Sequence, residues 1–356
     1  MNHFAAVIWN LKDQQPPRLG TTRTGDLLSL AKLGLRIRRL GTEDMREFLR
    51  IAGINVYDVL QERFESDLLK GALSLDGTLG SFLGPRSNNS VFCALHRFNQ
   101  GKGYALPEGG MGTVSVALDG AARAAGAQIR TGMRVRDIRM DFDRVCGVTL
   151  EDGEEIDASL VISSADPVTT FEHLLGLRHL EAGFANRVHH IRNRGCVAKL
   201  HLALDGTPLF AGLDGEQRGQ RLVIAPNLDY VERAFNHAKY GEYSTRPVME
   251  ISVPSVFDDS LAPAGKHVLS ANVQWAPYDL EAGWSEAKED FEALCLETLE
   301  AYAPGLRDQV ITSELLTPAD LEAEFGMTGG HWHHGEFSLD SFFMLRPVPG
   351  AAQYHT

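Results

Sequence analysis

The chain has 356 residues, of which 44% are hydrophobic and 23% charged, a composition typical of a globular protein large enough for two domains. A formal net charge of −13 argues against a nucleic-acid partner, because phosphate binding needs a basic face. The four cysteines are far apart and form no CxxC motif. A disulfide framework or a metal cage is therefore not predicted, and a reducing compartment, the cytoplasm, is the expected location.

The first part of the chain, to about residue 95, shows helical spacing of its apolar residues. Within residues 26–40, leucines form a broad apolar face and Lys32, Arg36 and Arg38 interleave with it. Two interpretations stay open for this segment. One is a helix that makes a peripheral membrane contact, and the other is a core-facing helix with a solvated basic edge.

The middle of the chain predicts a helix followed by two hairpins. Thr113 to Ala125 is alanine-rich with helical spacing, and turn residues at 141–144 and 151–154 separate alternating apolar runs. The run Leu160–Ile162 is continuously apolar, which predicts a buried strand. It ends at the small-residue turn Ser163–Pro167, where ligands bind in open α/β sheets.

After Pro167 a helical stretch extends to about Ile191, and the pattern then changes to strict alternation. Residues 196–204, 249–253 and 269–275 each place apolar side chains at every second position. This pattern predicts an antiparallel sheet with one face solvated or lining a cavity. Helices are predicted at 228–240 and 285–303.

Three motif searches give no phosphate-binding loop, no hydrolase triad and no metal site. Gly110–Ser115 opens a helix but lacks the third glycine of GxGxxG and a strand before it, so a helix-capping turn is predicted instead of a phosphate loop. No GxSxG motif occurs, so no hydrolase triad is assigned. The cluster of His331, His333, His334 and Glu336 offers too few ligands for a metal, so no metal is expected. The alternatives are local hydrogen bonds or, preferably, a loop that lines a substrate or cofactor cavity.

Several segments together resemble the phytoene desaturase-like FAD-dependent oxidoreductases, and more closely their pyridine nucleotide-disulfide oxidoreductase domain-containing branch. They are YALPEGGMG at 104–112, VCGVTLEDGEEIDA at 145–158, SSADP at 163–167, LLTPADLE at 315–322 and TGGHWHHGE at 328–336. Members of this group begin with a strand and GxGxxG and end with a glycine-rich segment. Both are missing between Met1 and Thr356, so the chain is expected to be truncated at both ends.

The resemblance implies an α/β (α+β) fold, an incomplete FAD/NAD(P)-binding flavoprotein fold with an antiparallel-sheet substrate domain and a helical front part. The expected domains follow in chain order: the helical part of the substrate domain at 1–100, a partial FAD-binding domain at 101–167, the antiparallel-sheet substrate domain at 168–325 and a tail returning towards the FAD domain at 326–356.

The resemblance also implies site residues. Val135, in the strand that contacts adenine in this group, and Ala165, in the turn that approaches the dinucleotide, are expected to bind FAD. Gly330 and His331 are expected near the isoalloxazine ring. Trp332 and His334 are the substrate-cavity candidates. No catalytic residue is assigned, since a flavin that accepts hydride needs shape from the protein more than titratable groups.

The implied function is hydride transfer from an apolar, carotenoid- or isoprenoid-like small molecule to FAD. The alternative is a non-catalytic binding or scaffold protein that has lost the flavin site, and a flavin-dependent isomerase is a third interpretation. Oligomerisation stays open, since an unpaired sheet edge is a template for association.

Overall fold

The structure, a computed structural model of the 356-residue chain, describes residues 4–7, 17, 23–98, 105–338 and 341. The predicted tail therefore lies outside the described residues beyond position 338, apart from Ser341. Residues 1–50, 128–193 and 333–356 form one compact unit, called unit 1, and residues 51–127 and 194–332 form a second, called unit 2. The expected functional domains at 1–100, 101–167, 168–325 and 326–356 stay a prediction.

The helices follow the sequence pattern closely. Their bounds are α1 Thr24–Arg38, α2 Thr42–Ala52, α3 Val56–Arg63, α4 Asp67–Asp76, α5 Ser90–Phe98, α6 Gly112–Ala124, α7 Ala182–His189, α8 Leu228–Lys239, α9 Trp284–Tyr302, α10 Leu306–Gln309 and α11 Pro318–Phe325. A π-helix at Thr169–Gly176 precedes α7. Among the residues that the structure describes, none of the helices combines the length and the apolar character that crossing a bilayer requires.

Helix α1 confirms the predicted helix in the leucine-rich segment. Its residues include none that is buried, and Leu27, Leu28 and Leu35 are 50%, 56% and 46% exposed. The peripheral membrane contact through residues 26–40 and the cytoplasmic location stay predictions.

Unit 1 contains the two predicted hairpins. Strands β1 Val135–Asp141, β2 Arg144–Leu150 and β3 Glu155–Asp157 form an antiparallel sheet in that order. Asp141 pairs with Arg144 across the first turn, as the turn chemistry predicts. Behind the hairpins, Phe171 of the π-helix meets Phe184 of α7 edge-on at 5.2 Å between ring centroids.

The predicted buried strand at Leu160–Ile162 is wrong. The backbone there is irregular, and Leu160 and Ile162 are 73% and 87% exposed. A strand exists only where a neighbouring strand takes up its backbone N–H and C=O groups, and no described strand pairs with this segment. Apolar content alone could not reveal whether another strand pairs with this segment.

Unit 2 contains a five-stranded antiparallel sheet in the order β5-β6-β7-β4-β8. The strands are β4 Val197–Leu204, β5 Leu222–Ile224, β6 Val248–Ser252, β7 His267–Gln274 and β8 Val310–Leu316. This confirms the predicted antiparallel sheet and its alternation. The apolar face packs on α9, where Phe291, Cys295 and Leu299 are at most 1% exposed. The opposite face, called the open face below, carries the polar residues of β4 and β6, together with Ser270 and Asn272 of β7 and Glu314 of β8.

Candidate functional site

A cavity of about 820 Å³ lies on the open face of the unit 2 sheet. The sheet provides its floor through β4, β7 and β8, and two loops, at residues 106–111 and 254–261, provide its sides. Because side chains alternate along β4, burying Leu200 and Leu202 in the core places Lys199 and His201 on the open face. The predicted cavity-lining face is therefore confirmed.

The loop of residues 106–111 is fastened to the second loop by a charged hydrogen bond. The amide of Gly109 donates to Oδ2 of Asp258 over 2.7 Å. Hydrogen bonds from Ser260 and from the Gly109 amide lower the pKa of Asp258, so this carboxyl group is ionised at neutral pH. Gly110 has φ +84°, and a Cβ there would lie 3.2 Å from Cδ2 of Leu261. The predicted turn before helix α6 is thus confirmed, and it shapes the mouth of the cavity.

His201 and Glu314 lie opposite each other on two neighbouring strands of the cavity floor. They are register partners of β4 and β8, and Ser270 is the partner of His201 on β7. Burial lowers the pKa of His201, the Lys199 charge lowers it further and Glu314 opposes them. The imidazole is therefore neutral at pH 7 and offers both a donor and an acceptor nitrogen.

A network of buried charges lies at the other end of the open face. Asp76 of α4 accepts from Arg97 over 2.9 Å and from Arg221 over 2.7 Å. Both arginines also pair with Glu250 of β6. The side chains of Asp76 and Glu250 are only 7% and 13% exposed, so each carboxylate depends on the arginines to compensate for lost hydration.

The network extends along the sheet to Lys199. Asn272 donates to Oε2 of Glu250 over 2.8 Å and accepts from Nζ of Lys199 over 2.9 Å. Burial would raise the pKa of Glu250, but the two arginine charges and the hydrogen bonds outweigh it and lower it. Burial lowers the pKa of Lys199, against the charge of Glu250. The open face thus holds a lysine that gives up its proton more readily than one in water.

The segment Gly330–Trp332 is tightly packed inside unit 2; Gly330 and His331 are the residues predicted near the flavin, and Trp332 is the predicted substrate-cavity residue. The carbonyl of Gly329 accepts from the Gly195 amide over 2.9 Å. At Gly330, φ is +62° and a Cβ would lie 2.1 Å from the carbonyl oxygen of Pro318. His331 is 1% exposed, and Trp332 packs against the cluster that contains Trp275. This packing is a sufficient reason for glycine at position 330. The predicted flavin contact stays a prediction.

This packing predicts a measurable difference between two glycines. Gly330→Ala is expected to destabilise the protein by about 3 kcal/mol, because a positive φ costs about 1 kcal/mol and the clash with Pro318 adds about 1–3 kcal/mol. Gly326 has φ +65° but nothing within 4 Å of a built Cβ, so Gly326→Ala is the matched control at about 1 kcal/mol. Urea unfolding of both variants measures the two costs, and equal values would contradict the close approach.

The remaining predicted residues lie in unit 1. Val135 is the first residue of β1, His334 is exposed with φ +59°, and Ala165 lines a cavity of about 280 Å³. Ile138, Val145 and other apolar side chains line that cavity with Ala165. Val135 and His334 are not among its lining residues.

The lining of the unit 1 cavity can be compared with what each part of FAD needs. Its apolar lining and volume of about 280 Å³ suit a flat aromatic ring such as adenine. Ser163 and Thr170 are hydrogen-bonded to each other over 2.7 Å at its edge, and Asp166 accepts the amides of Val168 and Thr169. The size and apolar lining of the cavity are compatible with the adenosine end of the cofactor, and the contact itself stays a prediction, whereas no described glycine-rich strand–helix turn fits the pyrophosphate.

The sequence interpretation missed Lys199, His201, Glu250 and Glu314. A signal was present for Lys199, His201 and Glu250, because they are polar residues at alternate positions of otherwise apolar strands. Glu314 becomes informative only once the register of β8 is known.

Residues 36–356 match the family model described as flavin containing amine oxidoreductase. The chain is 33% identical to the rat protein named pyridine nucleotide-disulfide oxidoreductase domain-containing protein 2, over 99% of this chain and 65% of that protein. It is 34% identical to the mouse protein of the same name, over 89% and 57%. The chain thus spans less than two thirds of the length of either relative.

More distant relatives and solved structures agree with the family match. Phytoene desaturase (lycopene-forming) of Pseudescherichia vulneris is 26% identical over 76% of this chain and 55% of its own length. The crystal structure of an oxidoreductase from Methanosarcina mazei superimposes with a TM-score of 0.50, covering 79% of this chain and 62% of that one at 20% identity. At this identity the structural match shows the fold alone, and it confirms the expected α/β flavoprotein fold.

Proposed function

This chain belongs to the family of flavin-containing amine oxidoreductases, and from that premise we propose that it is part of an FAD-dependent oxidoreductase whose substrate binds on the open face of the unit 2 sheet. The observation that carries the proposal is the cavity of about 820 Å³ with a β-sheet floor and loop sides. Cavities of this size, mainly apolar with a few polar groups, are the common form of small-molecule sites.

In this proposal FAD, when bound, would supply the redox chemistry as the acceptor of hydride from the substrate. Leu106, Met111 and Leu261 line the cavity and would hold an apolar, isoprenoid-like substrate away from water. Val135 and the cavity beside Ala165 would hold the adenosine end of the cofactor. The names of the phytoene desaturases among the relatives support the apolar substrate class.

The charge network has a positioning task. Glu250 and Asn272 fix the ammonium group of Lys199 over the open face. Because the pKa of Lys199 is lowered, this group can release a proton at a lower pH than an ordinary lysine and take one up again.

The test is the absorption spectrum of the purified chain after incubation with excess FAD and desalting. Measurable retention of flavin is expected, because the unit 1 cavity offers a place for the adenosine end of the cofactor. Ala165→Trp, which fills the unit 1 cavity, is expected to lower the retained flavin at least about tenfold, since it removes the adenine contact. Leu160→Trp is the control, because Leu160 is 73% exposed in the same unit. A chain that is folded by circular dichroism and stays colourless would overturn the cofactor assignment and favour the non-catalytic binding protein.

A further inference from the structure

We infer that the unit 2 cavity selects substrates that carry one hydrogen-bond-donating head group, a hydroxyl or an amine, on an apolar body, and that His201 and Glu314 bind this head group. The inference rests on the proposed function for the statement that the bound molecule is a substrate. It specifies the proposed isoprenoid-like substrate as an amphiphile, a molecule with an apolar body and one polar head group.

The position of the two side chains is the first support. His201 and Glu314 are direct register partners on neighbouring strands, and both line the cavity. Opposed residues in an antiparallel pair have Cβ atoms about 4.5–5.5 Å apart. A single small polar group can therefore contact both side chains.

Their hydrogen-bonding capacity is the second support. His201 is half-buried, and within the described part of the chain neither of its ring nitrogens hydrogen-bonds to another residue, in contrast to His267. The His267 ring is bonded to Thr207 over 2.8 Å and to Ser255 over 2.9 Å. A half-buried imidazole without such partners leaves polar capacity that a ligand can satisfy.

The charges select a donor over an acceptor. Glu314 and Asp258 line the cavity, and an ionised carboxyl group only accepts hydrogen bonds. Burial and the Lys199 charge lower the pKa of His201, so the neutral ring presents an acceptor nitrogen at pH 7. A hydroxyl or ammonium head group between His201 and Glu314 can donate to either side chain, whereas a carboxylate head group would meet the carboxyl group of Glu314 without a hydrogen to share.

The opposite side of the cavity is apolar. Leu106 and Met111 from one loop and Leu261 from the other line it, and Leu106 and Met111 are 52% and 70% exposed. A bound hydrocarbon body would cover these side chains and gain about 25 cal/mol per Å² of buried apolar surface. One cavity thus combines an apolar region with one polar end.

The test compares three ten-carbon probes, geraniol, geranylamine and β-myrcene, whose binding to the purified chain without FAD is measured by NMR titration at pH 7. Geraniol and geranylamine are expected to bind about tenfold more tightly than β-myrcene, the effect of one added hydrogen bond. Tighter binding of geranylamine than of geraniol would assign part of the preference to the carboxylates, and Glu314→Gln would reduce that part. Equal affinity for all three probes would overturn the inference.

Variants separate the role of His201 from a structural one. His201→Leu is expected to abolish the tenfold preference and to leave β-myrcene binding unchanged. His201→Gln keeps an acceptor, so the preference should remain at pH 7. In the wild type, the preference for geraniol over β-myrcene should fall as the pH drops through the lowered pKa of His201, because the protonated ring no longer accepts a hydrogen bond. In His201→Gln, this pH dependence should be absent. His237→Leu, outside the cavity, is the control. A preference that survives in His201→Leu contradicts the inference.

The two proposals fail separately. Loss of the probe preference with normal FAD retention would remove only the head-group assignment. A colourless chain that still distinguishes geraniol from β-myrcene through His201 would remove the oxidoreductase proposal and keep the binding site.

Discussion

Replacing Glu250 with alanine is expected to lower the free energy of unfolding by about 3–5 kcal/mol, because removing one partner of a buried ion pair leaves the others uncompensated. Two arginines, Arg97 and Arg221, and the amide of Asn272 converge on this carboxylate. In the variant, Asp76 alone would face both guanidinium groups, which are 24% and 25% exposed.

Urea unfolding followed by tryptophan fluorescence measures this change, since Trp275 and Trp284 lie in the same unit. The matched control is Arg123→Ala, which removes an ion pair with Asp119 whose side chains are 53% and 44% exposed. An exposed pair of this kind contributes at most about 1 kcal/mol. Equal losses in both variants would show that the network contributes no more than a surface pair.

Phe291→Ala is expected to cost a similar 3–5 kcal/mol, because it leaves a cavity in the core between the sheet and α9. Phe291 is 1% exposed, and its ring lies 4.7 Å from that of Tyr243 and 5.5 Å from that of Trp284 between centroids. The variant loses these ring contacts together with the burial of the side chain.

The same unfolding experiment applies, with Phe325→Ala as its control. Phe325 is 58% exposed in the same unit, so its loss should change the stability by less than about 1 kcal/mol. If Phe291→Ala were no more costly than Phe325→Ala, the core beneath the sheet would have to be looser than its burial indicates.

Local patterns predicted most of the secondary structure. The alternation of Ala198, Leu200, Leu202 and Leu204 defined β4 to within a residue at its start and predicted which face is buried. The turn residues at 141–144 predicted the β1–β2 hairpin for the same reason, since both signals act over a few positions of the chain.

The errors and omissions concern partners that lie far apart in sequence. Leu160–Ile162 has the composition of a buried strand, yet a strand depends on neighbours that its own residues do not specify. Likewise, the charge network draws on two helices, on β6 and on the residue before β5, and only the fold brings its members Asp76, Arg97, Arg221 and Glu250 together. The candidate site could therefore be expected on the alternating sheet, but its charged and hydrogen-bonding members could not be selected.

Strand β4 carries the core on one face and the candidate site on the other, and this restricts how it can vary. Because side chains alternate with a period of two, inserting or deleting one residue at its start would turn Lys199 and His201 towards α9 and expose Leu200 and Leu202. Such a length change would damage stability and ligand recognition together. Point substitutions at Lys199 or His201 change only the open face, so altered specificity is accessible through residue exchange at constant strand length.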